Sequence, residues 1–428
     1  MKLPLRLAYD AAARLARVAS EVAPRGESKL LRALADRRGV VERYQSWGRE
    51  HRDRSKPLLW THAPSVGEGL QARPVLERMR AQRPEVQLAY TFFSPSAVSL
   101  ADRLPVDFRD YLVFDAAADT AAAVAALAPN ALVFSKLDVW PNLVAAARAH
   151  SVRLGLISAT MSPRSSRQSG LARALLRDAY RSLDVVGAID AADADRLVDL
   201  GVRREIVQIT GDTRYDQVWQ RASVLDRASA LIEPLTSSRP TLVAGSTWPA
   251  DEAVLLPAVA QLRRATPDLR LIIAPHEPTA AHIDPILHWA KGTGAIVATL
   301  SDSMAKVADV VVVDRVGVLG DLYGLASMAF VGGAFHAAGL HSVIEPAAFG
   351  APVIFGPRFA MSRDAELLIQ AGGALHVTDE RSTVATLTRW LRNMDAREEA
   401  GAAARDLVRQ GIGAADRTYA IVDKLLSA

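Results

Sequence analysis

Residues 330–357 read FVGGAFHAAGLHSVIEPAAFGAPVIFGP: an apolar run, a glycine pair, a helical stretch and a second apolar run in order. This is the rhythm of a parallel sheet covered by helices, whose strands, buried on both faces, read as unbroken apolar runs. Gly332 and Gly333 close the first strand and allow another backbone to approach. The spacing predicts a helix from about Leu340, whose first N–H groups would suit a phosphate. Glu345, a turn into that helix, is placed to accept hydrogen bonds from ribose hydroxyls. The same residues also suit a turn that only packs helix on strand. The pattern GxGxxG is absent, which argues against a dinucleotide.

Outward from this stretch, similar runs predict strands at 241–246, 269–275, 295–300, 309–314, 328–333 and 352–356. An earlier series lies at 57–63, 87–93, 110–114, 131–135, 152–158, 185–189 and 206–210, with helical segments between. The periodicity weakens between Asp216 and Arg239, ending in EPLTSSRP, an exposed connection. The expected fold is therefore α/β, with two Rossmann-like domains facing an interdomain cleft. Expected boundaries are 1–56 for a basic N-terminal segment, 57–225 for an acceptor-side domain and 226–428 for a nucleotide-sugar domain. Ligands of such sheets bind outside the carboxyl ends of the strands.

The 428 residues include 50% apolar and 23% charged side chains, an ordinary globular balance. There is no cysteine, so thiolate catalysis, disulfides and Cys-based zinc sites are excluded. Residues 1–56 hold 14 Lys and Arg against 7 Asp and Glu, a local net of +7 in a chain of net +4, which leaves −3 for the rest. Aromatic residues do not interleave with the basic ones as a nucleic-acid platform requires, so nucleic acid is disfavoured. A membrane surface fits better. The start, MKLPLRLAYDAAARLARVASEV, is too broken by charge to span a bilayer. It reads as an amphipathic helix that either lies in a lipid interface or caps the domain.

Three further loops carry chemistry. HAPSVGE at 62–68 places Glu68 at a helix start, where the macrodipole favours a carboxylate able to act as a base. A structural glutamate in a first turn would look the same. GSTWPADE at 245–252 offers Ser246 and Thr247. APHEPTAAHI at 274–283 offers His276, Glu277 and His282 without the HExxH spacing of a zinc site, so no metal is expected.

Taken together, these segments resemble the 3-deoxy-D-manno-octulosonic acid (Kdo) transferases, with similarity running from about Trp60 to Ala371. The matching patterns are H-x-x-SVGE at His62 to Glu68, acidic-x-W-P-N at Asp138 to Asn142 and GST-W-P-x-DE at Gly245 to Glu252. An IIAPHE turn at Ile272 to Glu277 and GG-x(5)-G-x-H-x(3)-EPAAFG-x-PVIFGP at Gly332 to Pro357 complete the set. The resemblance implies a GT-B fold and inverting, metal-independent transfer of Kdo from CMP-Kdo to a lipid A precursor. It implies no cofactor, and the basic N-terminus together with a lipid-linked acceptor implies a peripheral location at the cytoplasmic face of the inner membrane. Residue by residue, Glu68 resembles the general base and Asp138 a second essential acid. Ser246, Thr247, His276, Gly317, Gly332, Gly333, His341 and Glu345 match positions around the nucleotide, with Ser342 beside them. The chain departs from the pattern at Lys136, where many members carry an acid, and at Ser342, where many carry Asn. The alternatives are a GT-B transferase using another nucleotide sugar, and a catalytically silent relative that binds a sugar nucleotide or lipid.

Overall fold

The structure, a computed structural model, describes residues 3–22, 29–163 and 165–427. It divides into two compact units, Met1–Asp216 with Ile412–Ala428, and Gln217–Gly411. Each is built on a seven-stranded sheet whose pairings are all parallel.

The first sheet contains β1 (Leu58–His62), β2 (Gln87–Phe92), β3 (Phe108–Tyr111), β4 (Ala131–Ser135), β5 (Arg153–Ala159), β6 (Val185–Ala188) and β7 (Val207–Ile209). Its order is β3-β2-β1-β4-β5-β6-β7. Strand order reverses between β1 and β4, the switch point at which open α/β sheets bind ligands. Every residue of β1 and β4 is buried, and Leu58–Trp60 and Ala131–Phe134 accordingly read as apolar runs that end in the buried polar residues Thr61, His62 and Ser135. Trp60 is fully enclosed, its indole N–H donating to Thr91 Oγ1 at 2.9 Å.

The second sheet contains β8 (Thr241–Thr247), β9 (Arg270–Pro275), β10 (Val297–Thr299), β11 (Val310–Val312), β12 (Met328–Val331), β13 (Val353–Phe355) and β14 (Ala374–His376). Its order, β10-β11-β9-β8-β12-β13-β14, puts a switch point between β8 and β12. The fold is thus α/β, with two Rossmann-like units, as the apolar rhythm led us to expect.

Several details differ from the sequence reading. The third strand begins at Phe108 rather than residue 110, because Phe108 packs edge-on to buried Tyr44. The strand β14 escapes prediction because it lies at the sheet edge with only its first residue buried, so no apolar run marks it. The helix expected from Leu340 begins at Ile344 and ends at Ala348. The chain before it is tied back instead: His341 N–H donates to Gly332 O, and Gly339 takes φ +88°. The end of the chain, assigned to the second domain by linear reading, packs on the first unit. Helix Ala414–Ser427 buries Ile421, Val422 and Leu425 in that unit's core. Arg83 and Asp423 pair across this contact at 2.5 Å.

The N-terminal helix, Leu3–Val22, is bound through polar groups. Tyr9 Oη donates to Asp115 Oδ2 (2.8 Å), Ala117 N–H to Asp10 Oδ1 (2.7 Å), and Arg17 Nη1 to Asp119 Oδ1 (2.7 Å). Its apolar residues face outward: Leu7 is 62%, Leu15 70% and Val18 56% exposed. This reverses the usual placement of a surface helix. Residues 1–2 and 23–28 of the expected basic segment lie outside the described residues. Among the described residues no helix is long and apolar enough to cross a membrane.

Candidate functional site

Two clusters of polar side chains form at the two switch points, one in each unit. In the first unit, helix Val66–Gln82 follows β1 with Glu68 in its first turn. Ser65 Oγ donates to Glu68 Oε2, and Lys136 Nζ lies 3.2 Å from Oε1. Ser135 Oγ donates to the Glu68 carbonyl at 3.1 Å, so the ends of β1 and β4 are clamped together. Burial pushes the Glu68 carboxyl up, but Ser65 and Lys136 outweigh it, and the group is held below its ordinary value. Lys136 occupies the left-handed region at φ +66°, strain of the kind that collects at functional sites.

Asp138 follows on the same loop and is held by two donors. Trp140 Nε1–H reaches Oδ2 at 2.9 Å, and His62 Nε2 lies 3.0 Å from the same oxygen. Arg167 Nη2 is 4.0 Å from Oδ1. Burial raises this carboxyl too, yet His62, Trp140 and Arg167 prevail and it sits below the usual aspartate range. The other nitrogen of His62, Nδ1, lies 3.1 Å from both the carbonyl and the hydroxyl oxygen of Thr91. The ring is therefore fixed from both ends, and Asp138 through it.

In the second unit, four rings gather at the loops after β8, β9 and β12. Trp248 stacks with His336 (centroids 4.4 Å apart, planes at 10°) and with His276 (4.6 Å, 23°), while His276 contacts His341 (4.6 Å, 30°). Trp248 Nε1–H donates to His341 Nε2 at 3.3 Å, so that nitrogen carries no proton. Burial, reinforced by His276, pushes the His341 imidazole down to about 4. At neutral pH it is an uncharged ring.

Asp251 organises the glycine loop. Its carboxylate accepts from Trp248 N (2.9 Å), Gly333 N (2.7 Å) and Phe335 N (3.1 Å). The N–H groups of Gly333 and Phe335 are thus spent within the protein. Gly332 is required where it stands, since a Cβ there would come 2.7 Å from the Thr247 Cα. Gly333 needs its φ of +97°.

The remaining positions separate. Ser246, at φ +54°, is the bulge where the β8–β9 register shifts. Thr247 is buried and donates its hydroxyl to Glu252 Oε1 at 2.8 Å. Ser342 is half-buried beside His341. Glu345 lies in the first turn of helix Ile344–Ala348, and its charge raises the enclosed Tyr323 hydroxyl further above its already burial-elevated value. Gly317 stands apart in an exposed loop after β11, where a Cβ would meet nothing within 4 Å.

Sequence reasoning omitted His62, Trp140, Trp248, His336 and Asp251 from the candidate residues. All five lay inside or beside the quoted motifs, and the available signal was residue type: an imidazole closing a buried strand, and aromatic residues on loops after adjacent strands.

Comparisons with known proteins bear on both units. The family described as 3-Deoxy-D-manno-octulosonic-acid transferase (kdotransferase) matches residues 34–217. The 3-deoxy-D-manno-octulosonic acid transferase of Bordetella pertussis is 30% identical over 373 residues, covering 84% of this chain and 85% of that protein. The Haemophilus influenzae protein of the same name is 25% identical over 391 residues, covering 89% and 90%. Among solved structures, UDP-GlcNAc 2-epimerase from Neisseria meningitidis aligns with a TM-score of 0.64 at 12% identity, covering 87% of this chain and all of that one. A glycosyltransferase from Rickettsia africae aligns at 0.57 with 10% identity, covering 86% and 98%. These structural likenesses concern the GT-B-like fold alone. With the sequence matches running through both units, the chain belongs to the 3-deoxy-D-manno-octulosonic acid transferase family of glycosyltransferases.

Proposed function

We propose that the chain transfers Kdo from CMP-Kdo to a hydroxyl of a lipid A precursor, with inversion and without a metal ion, at the membrane surface where lipopolysaccharide is assembled. The observation that carries this reading is the ionised Glu68 carboxylate at the β1/β4 switch point, steadied by Ser65 and Lys136. Glu68 takes the proton of the acceptor hydroxyl as its oxygen bonds to the anomeric carbon of Kdo. The bond from that carbon to the phosphate oxygen breaks, and its electron pair leaves with CMP. Attack from the face opposite the leaving group inverts the centre. Asp138, fixed by His62 and Trp140, orients the acceptor.

The nucleotide is assigned to the second unit, near His276, His341, Ser342 and Glu345, with Ser246, Thr247, Gly332 and Gly333 shaping the loops. Charge on the departing phosphate is met there by imidazole donors and loop N–H groups in place of a cation. Gly317 completes the set by its sequence match. The outward apolar stripe of helix Leu3–Val22, with Arg6 and Arg14 beside it, supports peripheral attachment to anionic lipid.

Incubation with CMP-Kdo and a tetraacylated lipid A precursor, read by the mass of the lipid product, tests the reading. A mass increment of one or more Kdo units is expected. An unchanged lipid with intact donor would overturn it, and a melting shift with UDP but not CMP would point to another nucleotide sugar.

A further inference from the structure

The loop that carries Asp138 runs straight into helix Pro141–Ala149, and that helix does not cap itself. Trp140 occupies its N-cap position and makes no side-chain cap bond. Pro141 has no N–H to give, so the first orphan donors are the N–H groups of Asn142 and Leu143. Both go to one carboxylate from outside the loop: Asn142 N–H donates to Asp115 Oδ2 at 3.0 Å and Leu143 N–H to Oδ1 at 2.8 Å. The Asn142 side chain adds a third bond, its Nδ2 donating to the Asp115 carbonyl at 2.7 Å.

Asp115 is 6% exposed, and burial pushes its carboxyl up to about 7. The N–H of Asn142, the Tyr9 hydroxyl and the N–H of Leu143 oppose this, while Asp10 adds to it, so the capping anion depends on its donors. Tyr9 Oη supplies its bond at 2.8 Å. The next residue, Asp10, accepts from Ala117 N–H at 2.7 Å and from Asn142 Nδ2 at 3.3 Å. Two adjacent residues of helix Leu3–Val22 thus hold the cap and the residue it caps. At the far end of the connection, Trp140 gives its indole N–H to Asp138 Oδ2 at 2.9 Å and stacks on Phe93 (centroids 6.1 Å apart, planes at 6°). Burial, then Asp115 and Asp138, push the Tyr9 hydroxyl above its ordinary value, so both carboxylates lie within electrostatic reach of it and it stays a donor.

We infer that Tyr9 is a positioning residue for Asp138: by donating to the Asp115 cap, helix Leu3–Val22 sets the start of helix Pro141–Ala149 and with it the Trp140 indole that orients the acid. The inference rests on the reading of Asp138 as the group that orients the acceptor. It makes the N-terminal helix part of the scaffold of the acceptor side, a role separate from surface attachment. All of these contacts lie within the first unit.

Two measurements on the full chain test it, and one needs no turnover. In Tyr9→Phe, which removes only the hydroxyl, hydrogen exchange read by mass spectrometry should quicken roughly fivefold or more in peptides spanning 136–149, and stay within about twofold in helix Val66–Gln82. With the lipid acceptor dispersed in detergent micelles, where membrane attachment does not enter, the acceptor KM should rise roughly fivefold or more while the KM for CMP-Kdo stays within about twofold. A loss of folded protein alone would lower kcat and leave both KM values in place. Arg17→Met removes a different contact of the same helix, Arg17 Nη1 to Asp119 Oδ1 at 2.7 Å. It should leave exchange at 136–149 and the acceptor KM as in the native chain. Unchanged exchange in Tyr9→Phe, an unchanged acceptor KM beside normal turnover, or equal effects in Arg17→Met would overturn the assignment. Quickened exchange in a chain that transfers no Kdo would support the link from Tyr9 to the loop and overturn the transfer reading instead.

Discussion

Both oxygens of the Glu68 carboxylate are held by donors, so its readiness as a base depends on how firmly Lys136 and Ser65 grip it. Glu68→Gln keeps the shape and removes the proton acceptor. We expect transfer to fall by roughly 10²–10⁴-fold, with CMP affinity unchanged by calorimetry; normal turnover would exclude the role. Lys136→Met removes the ammonium that lowers the carboxyl, so the acid limb of kcat/KM should move to higher pH. A limb that stays in place would show that Lys136 does not control the base. Glu68 and Asp138 are both depressed in the folded chain. Their stabilising contribution is full above the unfolded values and is lost as pH falls through the folded ones. His341 acts in the same direction at a higher pH: its folded value of about 4 lies below 6.5, so the unfolded chain takes up the proton first. Stability should decline as pH drops from about 6.5 toward 4, and His341→Gln should flatten that decline in urea midpoints measured across the range.

At the scale of elements, the N-terminal helix and the loop that carries Asp138 are joined through Asp115. This buried carboxylate accepts from Tyr9 Oη and from the N–H groups of Asn142 and Leu143, so it caps helix Pro141–Ala149 directly after the acidic loop. Asp115→Ala should cost about 1–2 kcal/mol as a lost cap, read from chemical denaturation. The outward stripe of the same helix makes a separate prediction. Replacing Leu7, Leu15 and Val18 together by Asn should weaken sedimentation with anionic vesicles by tenfold or more, without lowering the melting temperature, since these side chains pack on nothing that the fold needs. Equal sedimentation would remove the helix as an anchor. The polar inner face and apolar outer face were not separable in the sequence. The helical period places Leu7, Ala11, Leu15 and Val18 on one side, but says nothing of which side meets the protein.

For the whole molecule, the return of residues 412–428 to the first unit means that linear order and packing order differ. A chain ending at Gly411 should lose the burial of Ile421, Val422 and Leu425 and with it stability of the first unit. Differential scanning calorimetry should resolve a lowered transition for that unit, while the transition raised by CMP keeps its midpoint. A CMP-sensitive transition that falls with the truncation would mean that the helix stabilises the second unit instead.

The amino-acid order alone determined the α/β class, the strand–loop–helix placement of Glu68 and Asp138, and the loops that bear Ser246, His276 and Gly332. These follow from local periods and from buried strands being apolar throughout, information carried within a few residues. The partners of those groups were decided only by tertiary structure. Nothing local ties His62 to Asp138 or Lys136 to Glu68, which come from strands 76 and 68 residues apart that meet because β1 pairs with β4. The same holds for Asp251, whose carboxylate takes N–H groups from a loop 82 residues downstream. Hydrogen bonds between distant segments depend on sheet order, and sheet order is settled by the packing of the whole core.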